Sequence, residues 1–152
     1  MSVSIRENIF GAIQALLGMS GGPAGLTVHR ERTRPLEKED LPAIVIYADD
    51  DVPKPLAGQQ YKAPLTERQL GLVCQCRAIG TLSISPDEAL DSLIVWATQQ
   101  IVGNEQFGGL ANGVDEQRTV WISREGEVPV AAAAIHFTVK YRTARADPTS
   151  KS

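Results

Sequence analysis

The chain has 152 residues, 43% of them hydrophobic but only 5% aromatic, and its formal charge is -3. That is the size of one domain with a mainly aliphatic and alanine core, and the acidic balance argues against a nucleic-acid binder, which shows a basic footprint. There is no run of about 18 apolar residues, so no membrane-spanning helix is expected.

The N-terminal segment reads as a helix. Ser4 and Glu7 have capping-box spacing, and Ile9, Phe10, Ile13, Leu16 and Leu17 form an apolar stripe at helical period. Gly11 and Gln14 interrupt it, so it does not make a signal-peptide core. The glycine-rich stretch after Gly18 follows a helix and precedes a strand. A phosphate-binding loop has the opposite order, and this stretch reads as a turn.

Leu26–Arg34 is a strand candidate with Arg30, Arg32 and Arg34 on one face. After a charged connection, Ala43–Tyr47 is apolar on both sides and belongs centrally in a sheet. It leads into Asp49, Asp50 and Asp51. Three adjacent carboxylates on an extended chain point apart, and no calcium-loop glycine and glutamate follow, so these read as a solvated acidic loop. Residues 51–64 contain Pro53, Pro55, Gly58 and Pro64 and read as a long loop.

Thr66–Thr81 alternates as a strand. Leu70, Leu72, Cys74, Cys76 and Ala78 share one face, and Gln69, Val73, Gln75, Arg77 and Ile79 share the other; Gly71 marks a candidate bulge. Cys74 and Cys76 stand about 7 Å apart on a strand face. A disulfide there would be strained, and no histidine or second cysteine pair completes a metal set. They read as buried free thiols in a reducing compartment.

Ser85, Pro86, Asp87 and Glu88 open a second helix by capping and dipole rules. Its stripe is Leu90, Leu93, Ile94, Ala97 and Ile101, with Trp96 on the flank, and Gly103 and Asn104 close it. Thr119–Ser123 and Val128–Ala144 read as a hairpin turning through Glu125, Gly126 and Glu127. In the last strand, Ile135, Phe137, Val139 and Tyr141 alternate with His136, Thr138, Lys140 and Arg142, while Val130–Ala134 is small and apolar on both sides.

The expected fold is therefore α+β: a mostly antiparallel sheet with two helices on one face, in the order α-β-β-β-α-β-β. Residues 1–146 make one domain and residues 147–152 a flexible tail. His29 and His136 are the only histidines, and neither has a nucleophile or carboxylate at catalytic spacing. No catalytic residue, metal ligand or cofactor is assigned.

The order of these elements, the amphipathic first helix, the Leu41–Tyr47 strand after a charged connection, and the ending Phe137–Thr143 closing in Asp147 and Pro148 resemble the tail terminator proteins of long-tailed bacteriophages. The resemblance spans Ser4 to Pro148. It implies a structural, non-enzymatic protein of the virion, located at the head-proximal end of the tail and assembled in the host cytoplasm. Such proteins form a hexameric ring that caps the tail tube, stops its polymerisation and joins the tail to the head connector. The implied partners are copies of the same chain, the tube protein and a connector or neck protein. The competing readings are a tail-completion or neck protein of a phage or phage-like contractile machine, and a small α+β ligand-binding domain or enzyme. For an assembly subunit, Arg30, Arg32, Arg34, Asp49, Asp50, Asp51, Lys54 and Arg142 are the candidate partner-binding residues, since they offer oppositely charged patches. The Val130–Ala134 segment would permit close subunit approach.

Overall fold

The computed structural model describes residues 3–19, 21–30, 41–55, 65–122, 130–144 and 146–149. The elements run α1 (Ile5–Leu17), β1 (Thr27–Arg30), β2 (Ala43–Pro55), β3 (Leu65–Ile79), α2 (Pro86–Gly103), β4 (Gly113–Ile122) and β5 (Val130–Ala144), with one 3-10 turn at Phe107–Gly109 between α2 and β4. They build a five-stranded sheet in the order β1-β2-β3-β5-β4.

The sheet is mixed, which corrects the expectation of a mostly antiparallel one. β1 pairs with β2 in parallel, Thr27 opposite Ala43 and Arg30 opposite Ile46. The other three pairings are antiparallel. A parallel neighbour needs a crossover where an antiparallel one needs only a turn, and the connection from β1 to β2 takes residues 31–42.

β3 and β5 pair along their whole length, from Leu65 opposite Ala144 to Ile79 opposite Val130. Alternation then sorts their side chains. Leu70, Leu72, Cys74 and Cys76 from β3 and Ile135, Phe137, Val139 and Tyr141 from β5 are buried on one face beneath the helices. Each large aliphatic side chain removed from water there contributes about 1.5–3 kcal/mol. The alanine run splits by the same rule: Ala131 and Ala133 lie in the helix-side core, while Ala132 and Ala134 alternate onto the other face.

Both helices begin where their caps direct. The Ser4 and Ser85 hydroxyls accept from the Glu7 and Glu88 amides at 3.0 and 3.2 Å, satisfying donors with no partner in the first turn. The Glu7 carboxylate takes a different partner from the one a capping box supplies, binding Arg30 at 2.5 and 3.2 Å. Ile5, Ile9, Phe10, Ile13 and Leu17 of α1 and Leu90, Leu93, Ala97 and Ile101 of α2 are buried. Trp96 is packed beside this core. Its ring closes over Gly22, where a Cβ would lie 2.8 Å from it.

Three boundaries differ from the sequence reading. β2 continues through the acidic residues to Pro55, well beyond the expected end at Tyr47. Hydrogen bonding to β3 carries it there, and proline is tolerated because β1 stops at Arg30, leaving this part of β2 without β1 alongside. β4 starts at Gly113, six positions before the expected Thr119 (119 − 113). The end of the chain folds back: Asp147 bridges Ala144, and the Ile5 amide donates to the Pro148 carbonyl at 3.0 Å. Pro148, expected in a flexible tail, thus meets the start of α1. The residues expected to turn the last hairpin, and residues 150–152, lie outside those described.

Candidate functional site

Both helices pack on the same face of the sheet, and no described helix covers the opposite face. Its side chains fall into two halves. Toward the end where β3 leads to α2, Val45, Val73, Val120, Ala132 and Ala134 share the face by register with Gln75 and Arg77 of β3 between them. Val73 is only 1% exposed although no helix covers it, flanked in register by Tyr47 and His136. Toward the β2–β3 end, Lys54, Glu67 and Arg142 stand side by side across three strands, alternating in sign. Opposite charges directly across strands attract, each pair contributing a few tenths of a kcal/mol.

Between the halves lies a trough made by two irregularities. β2 slips its register between Ala48 and Asp51, so that Asp49 and Asp50 stand where Gly71 of β3 passes. β4 slips between Glu116 and Arg118, leaving Gln117 as the extra residue. Between them Gly71 pairs with Thr138. A cavity of about 220 Å³ opens here, with Asp49 and Asp50 on one side, Gln117 and Arg118 on the other, and Gly71, His136 and Thr138 between. Bulges re-aim side chains beside functional sites. Glycine fits the close approach of the two strands: a Cβ at Gly71 would fall 2.5 Å from Asp50 Oδ1 and 3.2 Å from the Asp50 backbone nitrogen.

The same slip turns Asp51 inward. Strict alternation from Tyr47 would place Asp51 on the open face, but the bulge shifts it to the helix side opposite Leu70. Its side chain is 9% exposed. Oδ2 accepts from the Tyr141 hydroxyl and from Arg6 at 2.9 Å, and Arg68 lies 4.0 Å away. Arg68 Nε in turn donates to Thr143 at 3.1 Å. Asp51 Oδ1 is buried and accepts nothing from the described residues. Burial, and then the hydrogen bond to Asp51, push the Tyr141 phenol well above the ordinary tyrosine range. This group ties α1 to the far end of the sheet.

The eight candidate partner-binding residues are therefore scattered. Arg30 is held by Glu7 and lies with its guanidinium carbon 4.5 Å from the Phe10 ring centroid, a cation–π contact. Asp51 belongs to the buried group. Lys54 and Arg142 are exposed in the charged half, and Asp49 and Asp50 form one wall of the trough. Arg32 and Arg34 lie outside the described residues. The sequence reading did not select Arg118, Gln117 and Trp121, and assigned His136 only to the polar face. The polar stretch Asp115–Arg118 had no periodicity to mark it as a strand, but Gly71 did signal the irregularity in its neighbour.

Cys74 and Cys76 are free and buried on the helix side. Burial raises both thiols, Cys76 to about 12, so neither has the thiolate character of a nucleophile or ligand. No group of three or more metal-ligating side chains is found among the described residues, and no described helix is long and apolar enough to cross a membrane.

Comparison with protein-family models finds no match to this chain, and none of the curated proteins searched matches it.

Proposed function

We propose that this protein is a structural subunit of a phage-type tail: a tail terminator that closes into a ring, hexameric by its sequence resemblance, on the end of the tail tube. The ring stops tube growth and presents the surface that meets the head connector. The observation that carries this reading is the apolar end of edge strand β4. Val120, Trp121 and Ile122 are consecutive there and 44%, 66% and 38% exposed. A strand edge offers unpaired backbone groups to a second chain, and exposed tryptophan is the kind of side chain that anchors protein interfaces. A ring contact joins two different surfaces of one subunit head to tail. Edge β4 and the open sheet face are two such surfaces.

The test is deletion of the gene from its parent particle. The proposal expects tubes of uncontrolled length that do not join heads. Tails of normal length, still joined to heads, would sink it.

A further inference from the structure

Resting on the reading of the chain as an assembly subunit, we propose that Arg77 on the open sheet face receives Glu116 from the β4 edge of a second copy of this chain, an ion pair that fixes how successive subunits meet. Arg77 is half-buried on β3, the central strand, and its cross-strand neighbours are Ala43 and Ala132. Neither alanine offers the guanidinium an acceptor. Arg77 Nε is buried and has no hydrogen-bond partner, and no ion pair holds this side chain among the described residues. Arg30 Nε is also buried without an acceptor, but Glu7 binds that guanidinium through its terminal nitrogens. Arg77 lacks such a counter-ion. The described residues at this end of the face, from Thr27 and Ala43 across to Ala132 and Ile122, include no carboxylate. Buried polar groups are normally satisfied, and a cation that has lost part of its hydration needs a partner. The terminal nitrogens of Arg77 are the part left open to solvent, and a carboxylate binds both at once.

The occupant follows from the charge on the other surface that a ring contact uses. β4 carries two carboxylates. Lys140 of the same chain holds Asp115 at 3.0 Å, whereas Glu116 is exposed and has no ion pair among the described residues. Glu116 stands opposite Phe137 and Trp121 opposite Ala133, an even separation on β5, so both lie on one side of β4. The edge therefore presents an acid and an indole together. The open face presents a cation, with Val45, Ala134 and Val120 in the next row. Each copy gives one surface and receives the other, as a head-to-tail contact requires. The indole supplies apolar area, and the ion pair sets register and partner choice more than raw affinity.

The experiment measures molar mass by light scattering across concentration for four full-length chains: wild type, Arg77→Glu, Glu116→Arg, and the chain carrying both changes. Each single change places like charges across the contact and should raise the concentration needed for assembly by roughly tenfold or more. The double change restores the pair with its signs exchanged and should bring that concentration back toward the wild-type value. Melting temperature is read on the same samples. Glu116 is exposed on an edge strand, so Glu116→Arg folds as wild type and tests the pair by itself even where Arg77→Glu does not fold. Assembly of Glu116→Arg at the wild-type concentration, or a folded double variant no better than the single ones, overturns the proposal. A wild-type ring that these changes leave untouched removes this pair and keeps the assembly reading, whereas a wild-type chain that never self-associates removes both.

Discussion

The Tyr141 hydroxyl donates its hydrogen bond to Asp51, joining the last strand to the residue that the β2 slip turns inward. Tyr141 is 1% exposed, and its partner carboxylate is also held by Arg6 from α1. Tyr141→Phe keeps the ring and removes the donor. It should lower stability by about 1–3 kcal/mol, the cost of under-satisfying a buried charged acceptor, with the midpoint of urea unfolding falling and its slope unchanged.

The same pair sets an alkaline limit. The phenol's pKa is raised in the folded protein, so its contribution to stability is fully present below the unfolded value of about 10 and is lost as pH rises from there through the folded value. The wild-type stability curve should therefore fall above about pH 10 more steeply than that of Tyr141→Phe. Parallel alkaline limbs would contradict the assignment.

At the acid end, Glu7 acts in the opposite direction. The Arg30 hydrogen bond is the main cause that lowers its pKa, against a smaller opposing effect of burial. A depressed carboxylate contributes stability above its unfolded value, and that contribution is lost as pH falls through the folded one. The pair is substantially exposed, so its worth is about 0–1 kcal/mol. Glu7→Gln should cost that much at pH 7 and nothing well below the carboxylate range, as read from melting temperature across pH.

Cys74 and Cys76 should be inert in the native state. Both are fully buried, and burial raises both thiols. A disulfide-exchange reagent should label neither at pH 8 and both in denaturant. Rapid labelling of either thiol in native protein would show that the helix layer opens readily over the sheet.

Trp121 separates assembly from stability. It is 66% exposed, and surface changes of this kind usually stay within about 0.5 kcal/mol. Trp121→Ser should leave the melting temperature of the single chain nearly unchanged and weaken self-association. A large loss of stability would place the indole in the core of this chain and remove it as an interface anchor.

What could be read in advance follows from how local each signal is. Ser4 and Ser85 cap their helices within three residues, and β5 sorts its faces by strict alternation, so both helices and the β3–β5 core were legible. The parallel pairing of β1 depends on where a connection returns, which no local pattern records. Asp49 and Asp50 read as loop because acidic residues and the prolines after them are poor strand formers. Only the pairing of their neighbours Ala48 and Asp51 with β3 carries the strand through them, and only the slip divides Asp50 from Asp51. Gly71 pointed to the right place, but the extra residues sit in its neighbour. Arg118 could not be found, because β4 at that point is an exposed edge with polar residues on both faces.

The most direct test of the central claim is the molar mass of the purified chain by light scattering across concentration. The account predicts a discrete, closed species near six times the 16.4 kDa of one chain, lost in Trp121→Ser. A single chain's mass at every concentration up to the solubility limit would contradict self-assembly through the edge and open face of the sheet.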